Sequence, residues 1–593
     1  MSFLAILGIV AALAWWIGGM RQRNRTRQRN REEVDTTLGT GLPSPRTAVG
    51  RKAEAVVAAQ AQKLDTPPPI HGTARWATAG DVASLLAPDH AREAAQGTRG
   101  LHFGGLIADG GFDAGQDRDT GLPLVVRYPG HILTVAGTGQ GKSATQIIAN
   151  LMTYKGSVVV VDPKGELFEA TARQRRRFGK VFRLAPLARQ GEPASDRYNP
   201  LAELGEPREL GNRARRLAEM LVVRQGAKGA AEATFFENEA INLLTAVIMF
   251  VVEINNAPEH EVDRTLANVR ALCALPALAG RKERVLPEYI EDVLQRMAMT
   301  SSYAYVRRQG SVFLGYEVRL LSAIISEINS NLAFWDGHPG FAEVTATSDF
   351  QFADLERETI TVFLTIPFKD MATSFRFLRA MIGLAFAALE EKADARRASV
   401  LFILDEFAAL RDMEFMRDAV AQMRSSGAWL WMLVQDVAQL EGVYDRWAGV
   451  FLSQTDHQVF FGGTVDGKTK THISSALGVT TFPYRDANVS WSHSVGLSDG
   501  ASEQVTQIGG VNMGRNIGQS VNITEPVKLA PRPLLTPFEV GTYLSGRLPG
   551  ETHASTAIVF SKQAGGYPIK VRRQHWQTLP WLQPQHETAK TGT

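Results

Sequence analysis

The chain has 593 residues, more than one ordinary domain requires. Lys and Arg number 64 against 61 Asp and Glu, so the formal net charge is only +3 and excludes a global positive field for gathering nucleic acid; such contacts must come from a local patch or a ring channel. Cys273 is the one cysteine, which excludes an intrachain disulfide and fits a body held in a reducing cytoplasm, while 44% hydrophobic content suits a packed core.

The first element is MSFLAILGIVAALAWWIGGM, Met1–Met20, with no charged side chain. A membrane-spanning helix needs about 20 mainly apolar residues, and Trp15 and Trp16 sit near the end of this one, where indoles favour the headgroup interface. Six arginines follow between Arg21 and Arg31 and place the body on the cytoplasmic side; a cleaved signal peptide would carry its charge before the apolar run. The arginine run reads as a lipid-facing flank in preference to a nucleic-acid arm. Residues 21–70 read as a basic, Ala-rich linker, with a helical stretch over Val49–Leu64 and TPPP at Thr66–Pro69.

His131–Val135 is predicted to be a buried strand, and apolar positions Ile147, Ile148 and Leu151 predict a helix beyond it. Between them lies AGTGQGKS: Ala136, Gly137, Thr138, Gly139, Gln140, Gly141, Lys142 and Ser143. Glycines let a loop turn its N–H groups toward an anion, and a new helix adds its N-terminal dipole. Lys142 suits the β and γ phosphates and Ser143 suits Mg²⁺. Ala136 stands where the strict motif has glycine, a departure that phosphate loops tolerate. The expected ligand is ATP with Mg²⁺.

SVVVVDPKGEL (Ser157–Leu167) predicts a strand stopped at Asp162 and Pro163. From Lys142 to Asp405 is 263 residues (405 − 142), long for one compact nucleotide fold, so an insertion is expected. Residues 206–343 supply it. Leu210, Ala214, Leu217 and Leu221 repeat at helical spacing, as do Leu321, Ile325, Ile328 and Leu332, and strand-like runs are scarce. LLTAVIMFVV (Leu243–Val252) is too short to cross a membrane and reads as a core helix.

TITVFLTIP (Thr359–Pro367) returns the chain to the sheet. SVLFILDEF (Ser399–Phe407) then ends a strand buried on both faces with Asp405, a candidate Mg²⁺ contact, and Glu406, a candidate to polarise the attacking water. WLWMLVQDVAQL (Trp429–Leu440) runs into Gln435, which either senses the γ-phosphate or attacking water or is structural. HQVFFGG (His457–Gly463) is a further strand. In open parallel sheets ligands sit beyond the C-terminal strand ends. Residues 480–530 are rich in Ser, Gly, Asn and Thr, and read either as a surface excursion or as a channel-facing or partner-binding loop; residues 581–593 form a polar tail.

The chain resembles the type IV secretion system coupling proteins, the TraG-like conjugative DNA-transfer ATPases. The resemblance rests on HGTARWA (His71–Ala77), AGTGQGKS, VVVVDPKGEL (Val158–Leu167), YNPL (Tyr198–Leu201), FILDEF (Phe402–Phe407), RSSGAWLWMLVQDVAQL (Arg424–Leu440) and RPLLTPFE (Arg532–Glu539), in the family's order. It implies an α/β fold: a RecA-like P-loop ATPase domain with an all-α insertion domain, preceded here by one transmembrane helix where many members have two. The expected division is 1–20 anchor, 21–70 linker, 71–205 first segment of the nucleotide-binding domain, 206–343 insertion, 344–580 second segment of the nucleotide-binding domain and 581–593 tail. It also implies a homo-hexamer anchored in the bacterial inner membrane. Arg424 matches the family's position for an arginine that completes a neighbour's ATP site. The expected partners are channel components and a relaxase with single-stranded DNA, effector proteins, or both. A related double-stranded DNA translocase and a substrate-receptor platform with residual hydrolysis are the alternatives.

Overall fold

The computed structural model describes residues 55, 58–64, 66–109, 117–127, 130–204, 208–223, 231–255, 263–275, 289–390, 400–413, 415–417, 420, 427–463, 465–485, 527–546 and 555–582. The expected anchor Met1–Met20, the arginine run, Arg424, residues 486–526 and the end of the polar tail lie outside them.

The strands are β1 Leu101–Ala108, β2 Arg118–Val126, β3 Ile132–Val135, β4 Val158–Val161, β5 Lys180–Leu184, β6 Ile360–Leu364, β7 Val400–Leu404, β8 Ala428–Val434, β9 His457–Phe461, β10 Val479–Arg485, β11 Val527–Pro533, β12 Thr556–Ser561 and β13 Ile569–Arg572. Eleven form one sheet in the order β2-β1-β13-β12-β9-β3-β8-β7-β4-β6-β5. Every neighbouring pair from β9 to β5 is parallel. Every pair from β2 to β9 is antiparallel. The architecture is therefore mixed α/β around a large sheet in which parallel pairing dominates.

The sequence explains the division. Strands β3, β4, β6 and β7 read ILTV, VVVV, ITVFL and VLFIL and are buried at every position, as a sheet covered on both faces requires. Parallel neighbours need crossovers. Helices Ile148–Thr153, Glu166–Arg175 and Phe368–Glu390 and the pair Val437–Tyr444 and Ala448–Gln454 supply four of them. The antiparallel strands are less uniformly apolar: β1 carries Gly104 and Gly105 and two register shifts, and β13 carries Lys570 within IKVR.

Between β5 and β6 every described element is helical. Helix Ala231–Asn255 is the longest, and Leu243–Val252 is buried throughout, as a core helix should be. The YNPL motif pins both ends of this helical segment. Asn199 donates from Nδ2 to the carbonyls of Arg264 and Ala346, and Tyr198 N–H donates to Val344 O.

Trp76–Ile473 with Pro537–Thr593 form one compact unit, which holds the eleven-stranded sheet. Residues up to Arg75 with Ser474–Thr536 form another. Within the smaller unit β10 and β11 pair antiparallel from Val479↔Pro533 to Arg485↔Val527, and Thr73 bridges Thr480. Gly72 of the HGTARWA motif is required there: a Cβ would lie 2.1 Å from Val479 O.

Candidate nucleotide site

Register places the four strand ends in a row. Val135 of β3 lies opposite Val434 of β8, Leu404 of β7 opposite Met432 of β8, and Val161 of β4 opposite Leu404. The loop Ala136–Ser143 leaves β3 at this edge. Ala136 N–H still donates to Val434 O, and Gly139 and Gly141 take φ of 72° and 77°. The following helix opens with a π-turn, Ser143–Ile147, a form that recurs at functional sites. Thr145 Oγ1 donates to Gly141 O at 2.8 Å and closes the loop from within.

Lys142 folds over this loop. Its side chain is buried and Nζ donates to Ala136 O at 2.8 Å. Asp405 faces the same space from the end of β7. Burial, with the Glu406 charge as the next cause, pushes its carboxyl up to about 6, against the lowering effect of Lys142. Glu406 holds a left-handed backbone, φ 57° and ψ 46°, which costs a non-glycine residue about 1–2 kcal/mol. Gln435 Nε2 donates to Glu406 Oε2 at 3.2 Å. The structure thus brings Lys142, Asp405, Glu406 and Gln435 to one edge, with β8 and its Gln435 lying between the strand of the loop and the strand of the acids.

Two further charges act here that strand-by-strand reading passes over. Asp162, at the end of β4, is pushed up to about 6 by burial and raises Asp405 in turn, while Lys164 lowers it. Both belong to the DPKGE motif, whose local logic is visible: Gly165 is left-handed at φ 74° and Asp162 Oδ2 accepts from Phe168 N–H at 2.8 Å to cap helix Glu166–Arg175. Asp162 Oδ1 is buried with no hydrogen-bond partner among the described residues.

The residues fit a nucleotide with a divalent cation. Two buried acids whose ionised forms are disfavoured, one with an orphaned oxygen, match a cation that is absent from the chain's own atoms.

A parallel sheet edge that carries a glycine-rich strand-to-helix loop, flanked by strand-end acids, defines a mixed α/β fold. The chain belongs to the type IV secretory system conjugative DNA transfer family, whose model matches residues 75–585. It is 30% identical over 443 residues to protein VirD4 of Rhizobium radiobacter, covering 72% of this chain and 58% of that protein. It is 27% identical over 404 residues to conjugal transfer protein TraG of Escherichia coli, covering 63% of this chain and 58% of that protein. The chain therefore spans less than two thirds of these relatives' length. The bacterial conjugative coupling protein TrwBdeltaN70, in its unbound monoclinic form, shares the fold with a TM-score of 0.52 at 17% identity, over 81% of this chain and 96% of that one.

Proposed function

We propose that the chain is an ATP-hydrolysing coupling protein, a membrane-anchored ring motor that delivers substrate to a type IV secretion channel. The substrate is relaxase-bound single-stranded DNA, effector protein, or both. The observation that carries this reading is the convergence of Lys142, Asp405, Glu406 and Gln435 on one loop within a chain of the conjugative DNA transfer family. The loop Ala136–Ser143 holds the phosphates of ATP. Ser143 and Asp405 hold Mg²⁺, which when bound offsets phosphate charge. Glu406 orients the attacking water, and Gln435 reports on the γ-phosphate through its hydrogen bond to Glu406.

Arg424 lies outside the described residues; its trans role rests on its matching the family's position for an arginine that completes a neighbour's ATP site. Rings that mix Arg424→Ala and Lys142→Ala subunits should recover turnover that neither variant shows alone; verified mixed rings with no recovery would count against it. The helical residues between β5 and β6 act as an insertion domain on the nucleotide-binding sheet, and Met1–Met20 anchors the chain in the inner membrane in a single pass.

Steady-state ATPase of the full chain, titrated with single- and double-stranded DNA at two salt concentrations, tests the reading. Single-strand stimulation that falls with salt is expected. Stimulation by duplex alone would instead favour a double-stranded DNA translocase, and turnover indifferent to cargo would favour a receptor platform. Full-length protein in the soluble fraction would overturn the anchor.

A further inference from the structure

The sheet contains a buried cation that the nucleotide chemistry does not use. Arg573 follows β13, in the antiparallel half, and is 1% exposed. Its guanidinium lies over the Phe461 ring, 3.3 Å from the centroid, and Nη2 donates to the carbonyl of Gln140 at 3.2 Å. Gln140 is the crest of the phosphate loop. Its side chain is also held from the same side: Gly462, directly after β9, has φ 84°, and a Cβ there would lie 2.6 Å from Gln140 Cγ. The Arg573 backbone N–H is fixed in turn by Ser555 O at 2.7 Å.

Stability is a poor reason for such an arginine. Burying an ion costs several kcal/mol, and an apolar side chain of similar volume would often serve the fold as well or better. What an apolar residue could not do is hold a loop carbonyl and bring positive charge beside a polyphosphate. We propose that Arg573 is a positioning residue of the nucleotide site. It acts through the Gln140 carbonyl to turn that oxygen away from the phosphates and to fix the crest of the loop, so that the C-terminal strands β12 and β13 belong to the site and do not merely extend the sheet. The proposal rests on the reading of the loop as a nucleotide site.

The test is the affinity of the full chain for a fluorescent ATP analogue and for ADP, with Tm measured alongside. Arg573→Met should weaken both nucleotides by roughly tenfold, the loss of one charge-assisted hydrogen bond. Arg573→Lys should recover part of that loss, because it keeps the charge and one donor. KM for ATP should rise with the weakened binding while kcat changes less, a split that a merely structural residue would not produce. If Arg573→Met fails to fold, Phe461→Leu removes the ring beneath the guanidinium and should weaken nucleotide binding in the same direction. Folded Arg573→Met with wild-type affinity would overturn the proposal, as would wild-type affinity in Phe461→Leu where that is the variant measured. Wild-type chain that binds no nucleotide would overturn the nucleotide reading itself, and this proposal with it.

Discussion

Buried charge at two strand ends of the parallel half and buried charge inside one strand of the antiparallel half are treated in opposite ways. In the parallel half the acids that follow β4 and β7, Asp162 and Asp405, are buried with their ionised forms disfavoured, and one oxygen of Asp162 has no partner among the described residues. In the antiparallel half Lys570 is equally buried but satisfied. Its Nζ reaches Asp109 Oδ1 at 2.7 Å and Asp117 Oδ1 at 2.8 Å, and lies over the rings of Trp76 and Tyr543. An unmet charge at a strand end marks a place kept for something else; a met charge inside a strand marks a clamp. The contrast sets the two strand-end aspartates apart from Lys570 within one continuous sheet.

The largest effect should come from the parallel half. Glu406→Gln should lower ATP turnover by about 10²–10⁴ while ATP affinity stays within a few-fold, as the loss of a group acting on the water requires. Lys142→Ala should lose affinity as well as turnover, with the fold intact by circular dichroism. If Glu406→Gln loses affinity too, the division of roles between the two residues fails.

Stability should then change with opposite signs. Lys570→Met removes a buried cation that Asp109 and Asp117 both meet and should destabilise by about 3 kcal/mol, the lower end of the range for a broken buried pair because Asp109 is part exposed. Asp405→Asn should do the reverse in the nucleotide-free protein. The folded carboxyl sits at about 6, above its ordinary 3.8, so the folded chain holds the proton more tightly; stability falls as pH rises from about 4 to 6, and the ionised group is a cost at neutral pH. Removing it should stabilise by up to about 3 kcal/mol in chemical denaturation at pH 7 while abolishing Mg²⁺-dependent turnover. A destabilised Asp405→Asn would erase the distinction between the halves.

The strand edges were legible in proportion to their burial. VVVV, VLFIL and WLWMLV cannot be mistaken for surface, and the residues that stop them, Asp162, Asp405 and Gln435, come together because parallel strands in register end in a row. The antiparallel strands were not legible. Gly104 and Gly105 break the alternation of β1, bulges shift its register, and IKVR hides a strand whose lysine is buried because two aspartates distant in sequence meet it. Arg573 had no local signal at all; its partner Gln140 is 433 residues away. YNPL was visible as a motif, but its reason lies in the carbonyls that Asn199 collects from two distant segments.

The smallest expected effect refines the comparison at the far side of the antiparallel half. His90 and His102 stack at 5.3 Å with Trp581 edge-on to both, and neither ring nitrogen of His90 has a partner among the described residues. Burial is the main cause that lowers His90 to about 4 and His102 to about 3, with Glu93 opposing it at His90. Each folded pKa lies below the ordinary 6.5, so the unfolded chain binds more protons on acidification: the stability is whole above about 6.5 and is lost as pH falls toward 4. His90→Phe, which keeps a ring in the stack, should flatten the dependence of Tm on pH in that window, a difference of about 2 kcal/mol at pH 5. An unchanged slope would show that the pair is not what titrates.

Helix Ala231–Asn255 has a consequence for how the chain is made. Its segment Ala233–Ile254 is long and apolar enough to cross a bilayer, yet 72% of its most apolar window is buried inside the fold. It packs against Leu210–Leu221, which precedes it, but also against Ala304–Leu314 and Val318–Leu332, which follow it. The last of these ends 77 residues (332 − 255) beyond the helix. At roughly 5–20 residues per second, a nascent chain carries this greasy helix half-covered for on the order of 4–15 s. If the anchor proposed at Met1–Met20 holds synthesis beside a membrane, that interval is a contest between the folding body and the insertion machinery, and the early partner Leu210–Leu221 is the only one of the three that is already present when the contest begins.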